Sequence, residues 1–554
     1  MAAPVQDASV MAGSVSGTQA FNGMAAAMRP SNVSAKLAHA KASLVSQLAA
    51  DKTLYVTLNL PLRNESEMDA FLQQLQDPTS SNYQQYLSPE EFSARFGPTQ
   101  ADYAKVLAWV TKHGLKISEA PANRLVVSIQ GNVDAINKAF HVTLNQYSKQ
   151  GDHRVIYAPS QEPATDIGIP ILSVSGLDNI NPPESRILHP NVAASRGHVV
   201  SKAGGSGPQG NFTPHDIRLA YYGTGPLTGK GQTVAIYSNA GLGTKDLDVF
   251  YKTIGATRPA VPITKIPVNG FVDDNSTNSN GEDENILDIT NVLGVAPGLK
   301  QILFYEGDRQ SISAILSKIA SDNKAKVVSN SWIYEEDDTR IFKEFQAQGQ
   351  TFINASGDEG AYNADTYGQP SENPEILNVG GTSLATTKPG GAWKAETTWS
   401  GSGGGFYAAT GYLIPSYQKL KNVVNATNKG SKKYRNDPDV ALEADFDNIS
   451  VQDGTPEYGV AGTSYAAPRM AGLIALANEK ALSKGQAVVG FINPKLYSMG
   501  VGTSSSKLFH DINTGNNAAA DGQGPSFNAV NGFDLATGWG SVIGAQFIDT
   551  LIAK

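Results

Sequence analysis

Apolar residues in the first third of the chain recur at strand and helix spacings and predict a small unit of both elements. Residues 55–60 alternate like a half-buried strand, and residues 64–76 carry apolar side chains at helical spacing. Residues 88–91 (Ser-Pro-Glu-Glu) form a capping box with proline at the first helical position. The other predicted elements are helices over 34–49, from 99 onward and over 133–140, and strands over 125–129 and 142–147. This alternation indicates a ferredoxin-like α+β unit over residues 51–180.

A second pattern begins after a stretch that has no periodicity. Residues 181–212 are rich in Pro, Gly, Ser and basic residues, which is typical of a linker that proteases can reach. Beyond it, apolar runs alternate with helical stretches, and this indicates a doubly wound parallel sheet over residues 213–554. The predicted strands are 232–237, 300–305, 326–329, 351–355 and 376–379, and the predicted helices lie around 283–293, 310–321 and 338–348. Residues 1–50 are assigned to an N-terminal extension.

The amino-acid composition excludes several classes of binding partner and of catalytic chemistry. The 554 residues are 40% hydrophobic and carry a formal net charge of −8 without a basic tract, so nucleic acid and membrane are not expected as partners. The chain has no cysteine, which excludes disulfides and thiol catalysis. No apolar stretch reaches the ~20 residues of a membrane helix. The first residues lack the layout of a signal peptide. A cysteine-free chain rich in Gly, Ser and Asn is compatible with export, and we expect a secreted protein whose signal peptide is not present in this chain.

A serine in the run Gly-Thr-Ser-Tyr-Ala-Ala-Pro is a candidate nucleophile. Ser464 precedes an Ala- and Leu-rich stretch that is typical of a buried helix. A serine at a helix start is usually a cap, but the small residues after it favour tight packing around a presented hydroxyl. A serine nucleophile needs an adjacent base, and none of the eight histidines lies in the His-Gly-Thr-His context that accompanies this motif in subtilisins. Either Ser464 is not a nucleophile, or a carboxylate activates it.

Three acidic residues are candidates for that role. Glu284 and Asp288 lie four residues apart on a predicted helix and therefore share one face. An acidic first turn favoured by the helix dipole is the simpler interpretation, but it does not explain Asp288, which lies between Leu287 and Ile289. Asp358 follows a predicted strand, at the edge where parallel sheets place their sites. Taken alone, a solvated turn residue is the simpler interpretation of Asp358.

The combination Glu284-x-x-x-Asp288, Ser-Gly-Asp358 and Gly-Thr-Ser464 resembles the sedolisins, the serine-carboxyl peptidases, and among them the kumamolisin-like members. Residues 87–98, with Leu-Ser-Pro-Glu-Glu-Phe and Phe-Gly-Pro, are similar to the activation prodomain of that family. The resemblance begins at about residue 50. It implies a subtilisin-like α/β catalytic domain preceded by an inhibitory prodomain over residues 51–180.

The resemblance also implies a role for each residue. Ser464 is the nucleophile, Glu284 is its general base and later the general acid, Asp288 hydrogen-bonds Glu284, and Asp358 is the oxyanion-hole donor. A carboxyl donates a hydrogen bond only when it is protonated. An aspartic acid with a pKa of ~3.9 is protonated in about one molecule in a thousand at pH 7 but in about half near pH 4. The mechanism therefore favours acid.

One position departs from the family pattern. Kumamolisin-like enzymes extend the carboxyl network with a glutamate just after the strand that matches residues 232–237, and this chain has Ser238 there. The outer part of the network, which passes through Trp332 of the Ser-Asn-Ser-Trp strand, is therefore expected to be rewired or shorter.

A loop near the C-terminus is a candidate metal site. Two carboxylates and loop carbonyls suit a hard cation such as Ca²⁺, although two turn aspartates are the simpler interpretation of the local sequence. The resemblance implies one structural Ca²⁺ held by the side chains of Asp511 and Asp534 and by the carbonyls of Ile512, Val530 and Gly532.

The sequence as a whole predicts an acid-acting serine-carboxyl endopeptidase, made as a self-processing zymogen whose linker is cut on activation. Its expected partners are protein or peptide substrates and its own prodomain as an intramolecular inhibitor, and it is expected to be a monomer. A tripeptidyl exopeptidase on the same fold and a catalytically silent secreted binding protein are the alternatives. A neutral subtilisin-type peptidase is less favoured.

Overall fold

The computed structural model describes residues 28–29, 32–190, 204–272, 281–363, 370–518 and 525–553. These residues form an N-terminal α+β unit and a larger α/β unit. Residues 1–27 of the predicted extension and 191–203 of the predicted linker lie outside the described residues. Within the described ranges, no helix is long and apolar enough to cross a membrane.

The N-terminal unit has a ferredoxin-like sheet, as its sequence pattern predicted. Its elements are α1 Val33–His39, β1 Ser43–Gln47, β2 Thr53–Asn59, α2 Glu65–Gln76, α3 Pro89–Arg95, α4 Gln100–Lys112, β3 Lys116–Glu119, β4 Val126–Asn132, α5 Val133–Phe140, β5 Leu144–Lys149, β6 Asp152–Pro159 and β7 Ser173–Ser175. The strands β3, β4, β2 and β7 are antiparallel neighbours in that order. A second sheet joins β1, β5 and β6. Ser88 caps α3 through the predicted capping box.

The predicted helix over residues 34–49 is wrong in its second half. Helix α1 ends at His39, and Lys41 adopts a left-handed conformation with φ 51° that stops it. Residues 43–47 form β1 instead, which pairs antiparallel with β5. The backbone groups that would continue the helix therefore find partners in a distant strand, which the local sequence does not reveal.

The second unit is built on an eight-stranded sheet. Its helices and strands are α6 Pro214–Tyr221, β8 Thr233–Ser238, α7 Thr244–Thr253, β9 Ile263–Pro267, α8 Glu282–Val295, β10 Gln301–Glu306, α9 Ile312–Asp322, β11 Val327–Asn330, α10 Thr339–Ala347, β12 Thr351–Ala355, β13 Leu377–Thr386, β14 Trp393–Thr398, β15 Val440–Glu443, β16 Asn448–Gln452, β17 Thr455–Val460, α11 Thr463–Ser483, α12 Asn493–Val501, β18 Phe509–His510, β19 Ser541–Val542 and α13 Gly544–Leu551. The strand order is β14, β13, β12, β11, β8, β10 and β9, with β15 also beside β13. All pairs are parallel except that of β13 and β14.

Helices cover both faces of this sheet, so the predicted doubly wound architecture is confirmed. Alternate residues of a strand point to opposite faces. Val234 and Ile236 of β8 join the buried cluster that contains α8 and α11. Ala235 and Tyr237 join the cluster that contains α9 and α10. The five predicted strands correspond to β8, β10, β11, β12 and β13.

The two units share an apolar core. Phe71, Phe92 and Phe96 of the N-terminal unit belong to the same buried cluster as Phe342 and Phe345 of α10. Aromatic side chains of this size contribute most of the favourable free energy of such a contact. The N-terminal unit is therefore docked on the face of the sheet that α9 and α10 cover.

A buried polar contact fixes the position of this docking. The side-chain amide of Asn123 donates to Glu344 Oε2 at 2.7 Å and to Ser317 Oγ at 2.8 Å. Burial raises the pKa of Glu344 to about 8. The carboxyl of Glu344 is therefore mostly protonated below about pH 8 while the two units are docked. Separation of the units would expose this carboxyl and the shared apolar surface to water.

Candidate active site

The four predicted catalytic residues meet at the carboxyl edge of the main sheet. Asp358 follows β12, Glu284 and Asp288 lie one turn apart on α8, and Ser464 lies in the first turn of α11. Helices α8 and α11 pack against each other. All four side chains are at most 2% exposed. Residues separated by 180 positions in sequence thus share one buried site.

The turn that carries Asp358 is locked to the start of α11. Asp358 Oδ1 accepts hydrogen bonds from the Thr463 amide at 2.6 Å and from Thr463 Oγ1 at 2.8 Å. Gly462 has a φ of 156°, and a Cβ atom there would lie 2.8 Å from Asp358 Oδ2. A side chain at this position would therefore push Asp358 away, which explains the glycine two residues before Ser464.

The carboxyl of Asp358 is set to hold a proton. Burial raises its pKa to about 7, against the hydrogen bonds from Thr463 and the charge of Arg186, which lower it. Below that pH the group is mostly protonated. It can then donate a hydrogen bond to an oxygen that becomes negative during a reaction.

Glu284 is the carboxyl beside the serine. Burial is the main cause that raises its pKa well above the usual range, and the neighbouring Asp288 adds to it. The hydroxyls of Ser464 and Ser185 lower this pKa, because each lies near enough to interact with the carboxyl. Ser185 Oγ donates a hydrogen bond to Glu284 Oε2, whereas Oε1 makes no hydrogen bond of regular geometry with any described residue.

Asp288 lies behind Glu284 and is held by a serine. Ser331 Oγ donates to Asp288 Oδ1 at 2.7 Å, and burial raises the pKa of Asp288 to about 8. Asp288 Oδ2 and Trp332 Nε1 are buried and make no hydrogen bond within the described part of the chain. Ser238 donates instead to Asn285 Oδ1 at 2.7 Å. The hydrogen bonds around Asp288 therefore end at Ser331 and do not extend through Ser238.

A segment of the predicted linker, residues 184–189, crosses this site, and we call it the strap. Glu184 exchanges two backbone hydrogen bonds with Ile333, at 3.0 and 3.1 Å. Leu188 exchanges two with Ala461, at 2.8 and 2.9 Å. The strap is thus held in extended form on both walls of the site, in the manner of a peptide that adds a strand to an exposed edge.

Side chains of the strap fill the site between these anchors. Arg186 forms an ion pair with Glu359 at 2.9 Å. Ile187 packs in a small apolar cluster with Leu287, Val460 and Tyr465. His189, the histidine of the strap, forms a hydrogen bond through Nδ1 with Glu457 Oε2 at 2.5 Å. The carboxylate that it contacts is therefore that of Glu457 and not that of Glu284. The strap therefore contacts Glu284 directly, and Ser464 is only 2% exposed.

Sequence reasoning did not find several of these residues. Ser331 stands in a motif that the sequence singled out, but its bond to Asp288 depends on how β11 meets α8. Thr463 was treated only as part of the serine motif. Ser185 and Glu359 gave no sequence signal, because their partners lie 99 and 173 residues away.

The predicted metal ligands are close together in the C-terminal loop. The Gly532 amide donates to both carboxylate oxygens of Asp511 at 3.1 Å. Asp534 is fully buried and accepts hydrogen bonds from the amides of Val530, Ala536 and Thr537. Among the described residues, no group of three or more His, Cys, Asp or Glu side chains could hold a metal.

His510, next to this loop, is held by an aromatic ring. Its imidazole stacks on Trp393 with centroids 3.6 Å apart, and burial lowers its pKa to about 4. Its partner is thus an indole ring.

Two family profiles match the chain. The pro-kumamolisin activation domain matches residues 40–180, and the subtilase family matches residues 270–522. Sedolisin of Pseudomonas sp. (strain 101) is 29% identical over 90% of this chain and 86% of its own length. Kumamolisin of Bacillus sp. (strain MN-32) is 29% identical over 91% of this chain and 93% of its own.

Xanthomonalisin of Xanthomonas sp. (strain T-22) is 28% identical over 90% of this chain, which spans 65% of that protein's length. A solved structure of Pseudomonas sedolisin, complexed with two molecules of pseudo-iodotyrostatin, superposes with a TM-score of 0.52 at 29% identity, over 62% of this chain and 98% of that one. Tripeptidyl-peptidase sed4 of Aspergillus fumigatus is 24% identical over 90% of this chain and 92% of its own length.

Proposed function

The chain belongs to the sedolisins, a family of serine-type peptidases, and from this we propose that it is the self-processing zymogen of an acid-acting endopeptidase. The observation that carries the proposal is the strap. It is bonded to Ile333 and to Ala461, which lies three residues before Ser464, and its Ser185 hydrogen-bonds Glu284, the carboxyl that would serve as base. An activation domain joined to a segment that covers the site accounts for latency before cleavage.

The proposed reaction uses the four buried residues in turn. Ser464 Oγ attacks the carbonyl carbon of the substrate, and the ionised fraction of Glu284 takes its proton. Protonated Asp358 donates a hydrogen bond to the oxyanion. Glu284 then gives the proton to the leaving amine, and water hydrolyses the acyl-enzyme by the same route. Asp288 makes no hydrogen bond to Glu284 within the described residues, and it acts on Glu284 by adding to the raised pKa of that carboxyl.

The strap also influences the base. Burial is the largest cause of the raised pKa of Glu284, and the strap contributes part of that burial. Departure of the strap admits water, which lowers this pKa, and removes the hydrogen bond from Ser185, which had also lowered it. The two effects of strap departure on the ionised fraction of Glu284 therefore oppose each other.

Activity is expected to fall as the pH rises through about 7, because Asp358 has a pKa of about 7 and only its protonated form donates. In Asp358→Asn the amide donates at any pH, so this loss of activity at higher pH should disappear. In Asp358→Ala the donor is absent, and kcat should fall by ~10²–10³ at every pH. The measurement is a kcat profile from about pH 3 to 8 on a quenched peptide.

The pair of variants separates the donor from a merely structural group. A structural role predicts that Asn and Ala variants keep the wild-type pH profile. That result, or full activity of Asp358→Ala, would contradict the donor role.

An endopeptidase is favoured over a tripeptidyl exopeptidase by the path of the strap. Described residues extend from both of its anchors, Glu184 and Leu188, so a chain can pass through the site in both directions. Sizing the products of a long unstructured peptide tests this point. Fragments cut at internal positions support the proposal, and a ladder of tripeptides would support the activity named for the Aspergillus relative.

We further propose that one Ca²⁺ binds the C-terminal loop and that the enzyme is a secreted monomer. The donors would be the side chains of Asp511 and Asp534 and the carbonyls of Ile512, Val530 and Gly532. This set contains only oxygen, which is what Ca²⁺ prefers. The backbone of Val530 does not have a positive φ, so the valine side chain causes no strain at this position. A bound ion would tie the loop to the body of the domain.

Chelation is expected to lower the melting temperature of a full-length chain that carries Ser464→Ala to prevent processing. A ligand present at 100 times its Kd stabilises the folded state by about 2.7 kcal/mol, which for a chain of this length corresponds to roughly 2–4 °C. Asp534→Asn should melt at the chelated temperature and no longer respond to chelator. Asp549→Asn removes an exposed carboxylate and should respond like its parent. An unchanged melting temperature after chelation would refute the Ca²⁺ site.

A further inference from the structure

The strap is anchored in a fixed register over the catalytic residues. Glu184 pairs with Ile333, which lies two residues after Ser331, the partner of Asp288. Leu188 pairs with Ala461, which lies three residues before Ser464. The peptide bond presented to the nucleophile must therefore lie among the three residues between these anchors.

Contacts of those three residues identify the bond. Ser185 bonds to Glu284 and so lies on the side of the base. The charge of Arg186 is near enough to lower the pKa of Asp358, the proposed oxyanion donor. The Cα of Ile187 lies 3.5 Å from the position that a Cβ on Gly462 would take. Arg186 stands between Ser185, which bonds to the base, and Ile187, which lies beside Gly462, so this register favours the Arg186 carbonyl as the group presented to Ser464.

The side chain of Arg186 points to a specific acidic group. Its Nη1 lies 2.9 Å from Glu359 Oε2, and Glu359 directly follows Asp358 in the turn after β12. The guanidinium side chain is 21% exposed and the carboxylate 39%. Because the turn also carries the oxyanion donor, an acidic side chain is fixed next to the residue whose carbonyl reacts.

We propose that Arg186–Ile187 is the bond cut during activation and that Glu359 selects a basic side chain on the acyl side of the bond that the enzyme cuts. The inference rests on the proposed function and adds to it a cleavage position and a substrate class. The strap is then the first substrate of the enzyme, and its Arg186 is an example of the basic side chain that the enzyme prefers.

The cleavage follows the mechanism above with each group accounted for. Ser464 Oγ bonds to the Arg186 carbonyl carbon, and its proton passes to Glu284. The C–N bond to Ile187 breaks as Glu284 protonates that nitrogen. Water then hydrolyses the ester, which leaves a carboxylate on Arg186, an amine on Ile187 and a free Ser464.

The expected selectivity is modest because the ion pair is partly exposed. Exposed pairs of this kind are weak, so a basic residue should be preferred over a neutral one of similar length by roughly 1.5- to 5-fold in kcat/KM. Glu359→Gln keeps the shape of the side chain and removes its charge.

The first experiment locates the cut. The full chain is brought to acid, sampled at early times, and the new N-terminus is sequenced. Ile187 as the first new N-terminus supports the inference. A first cut at another bond of the strap, or outside it, would overturn the assignment of the bond.

The second experiment tests the acidic group. Two quenched peptides carry residues 182–190 of this chain, one with Arg at position 186 and one with Met. They are compared at about pH 5, where an ordinary exposed carboxyl is largely ionised. Wild type should favour the Arg peptide, and Glu359→Gln should cut both at equal rates with the Met peptide unaffected. Asp248→Asn, which removes another exposed carboxylate, should keep the wild-type ratio.

The outcomes distinguish this inference from the proposed function. Wild-type enzyme that cuts both peptides equally, or a Glu359→Gln variant that keeps the preference, refutes only the role of Glu359. The proposed function requires the wild-type chain to cut its own strap or at least one of the peptides. Absence of all cleavage by the wild-type chain would therefore refute the proposed function itself. Retained cleavage of the Met peptide by Glu359→Gln shows that the variant is folded.

Discussion

Ser464→Ala is expected to stay at the full 58.5 kDa in acid, whereas the wild-type chain shortens to about 39 kDa, the mass of residues 187–554. The reason is that Ser464 supplies the only atom in the proposed mechanism that attacks the peptide carbonyl. The serine is buried beneath the strap beside Glu284, so its own chain is the first peptide it can reach. Electrophoresis over a time course at about pH 4, near the usual aspartate pKa, gives the measurement.

Ser483→Ala is the matched control for this experiment. Ser483 lies at the other end of α11, is exposed, and bonds only its own helix through the Lys480 carbonyl. This variant should process like wild type. Equal shortening of Ser464→Ala and wild type in purified material would contradict self-processing by this serine.

Glu284→Gln is expected to lower kcat by ~10²–10⁴, the scale of a lost general base. Glutamine has the same shape and still accepts the hydrogen bond from Ser185, but it cannot take the proton of Ser464. The loss should therefore fall on kcat with little change in KM. Single-turnover kinetics on a quenched peptide separate the two parameters.

The control for this variant is Glu282→Gln. This substitution makes the same chemical change in the first turn of α8. Glu282 lies two positions before Glu284, so its side chain projects from a different face of the helix. It should retain most of the wild-type activity. Activity of Glu284→Gln close to that of wild type would show that another group activates Ser464.

Much of the fold was accessible from the sequence because its signals are local. Strand and helix periodicity gave the central strands β8 and β10 to β13 and the helices α8 to α10, since each pattern depends on which face of one element is buried. The capping box at Ser88 was equally local. The helix predicted over residues 34–49 failed where the chain instead paired with β5, a partner about 100 residues away.

The sequence by itself determined the chemistry that this protein can carry out. The motifs around Ser464, Glu284 and Asp358 supplied a nucleophile and carboxyls, and the histidines lacked the context of a partner for the serine. Residue types and short spacings are properties of the sequence, so these candidates needed no coordinates.

Only the tertiary structure decided how these groups behave and what covers them. The raised pKa of Asp358 has burial as its main cause, and burial depends on packing between β12, α11 and the strap. The pairing of Arg186 with Glu359 and of Ser185 with Glu284 likewise joins residues far apart in sequence. Distances in space and exclusion of water are set when the whole chain folds, and no local pattern encodes them.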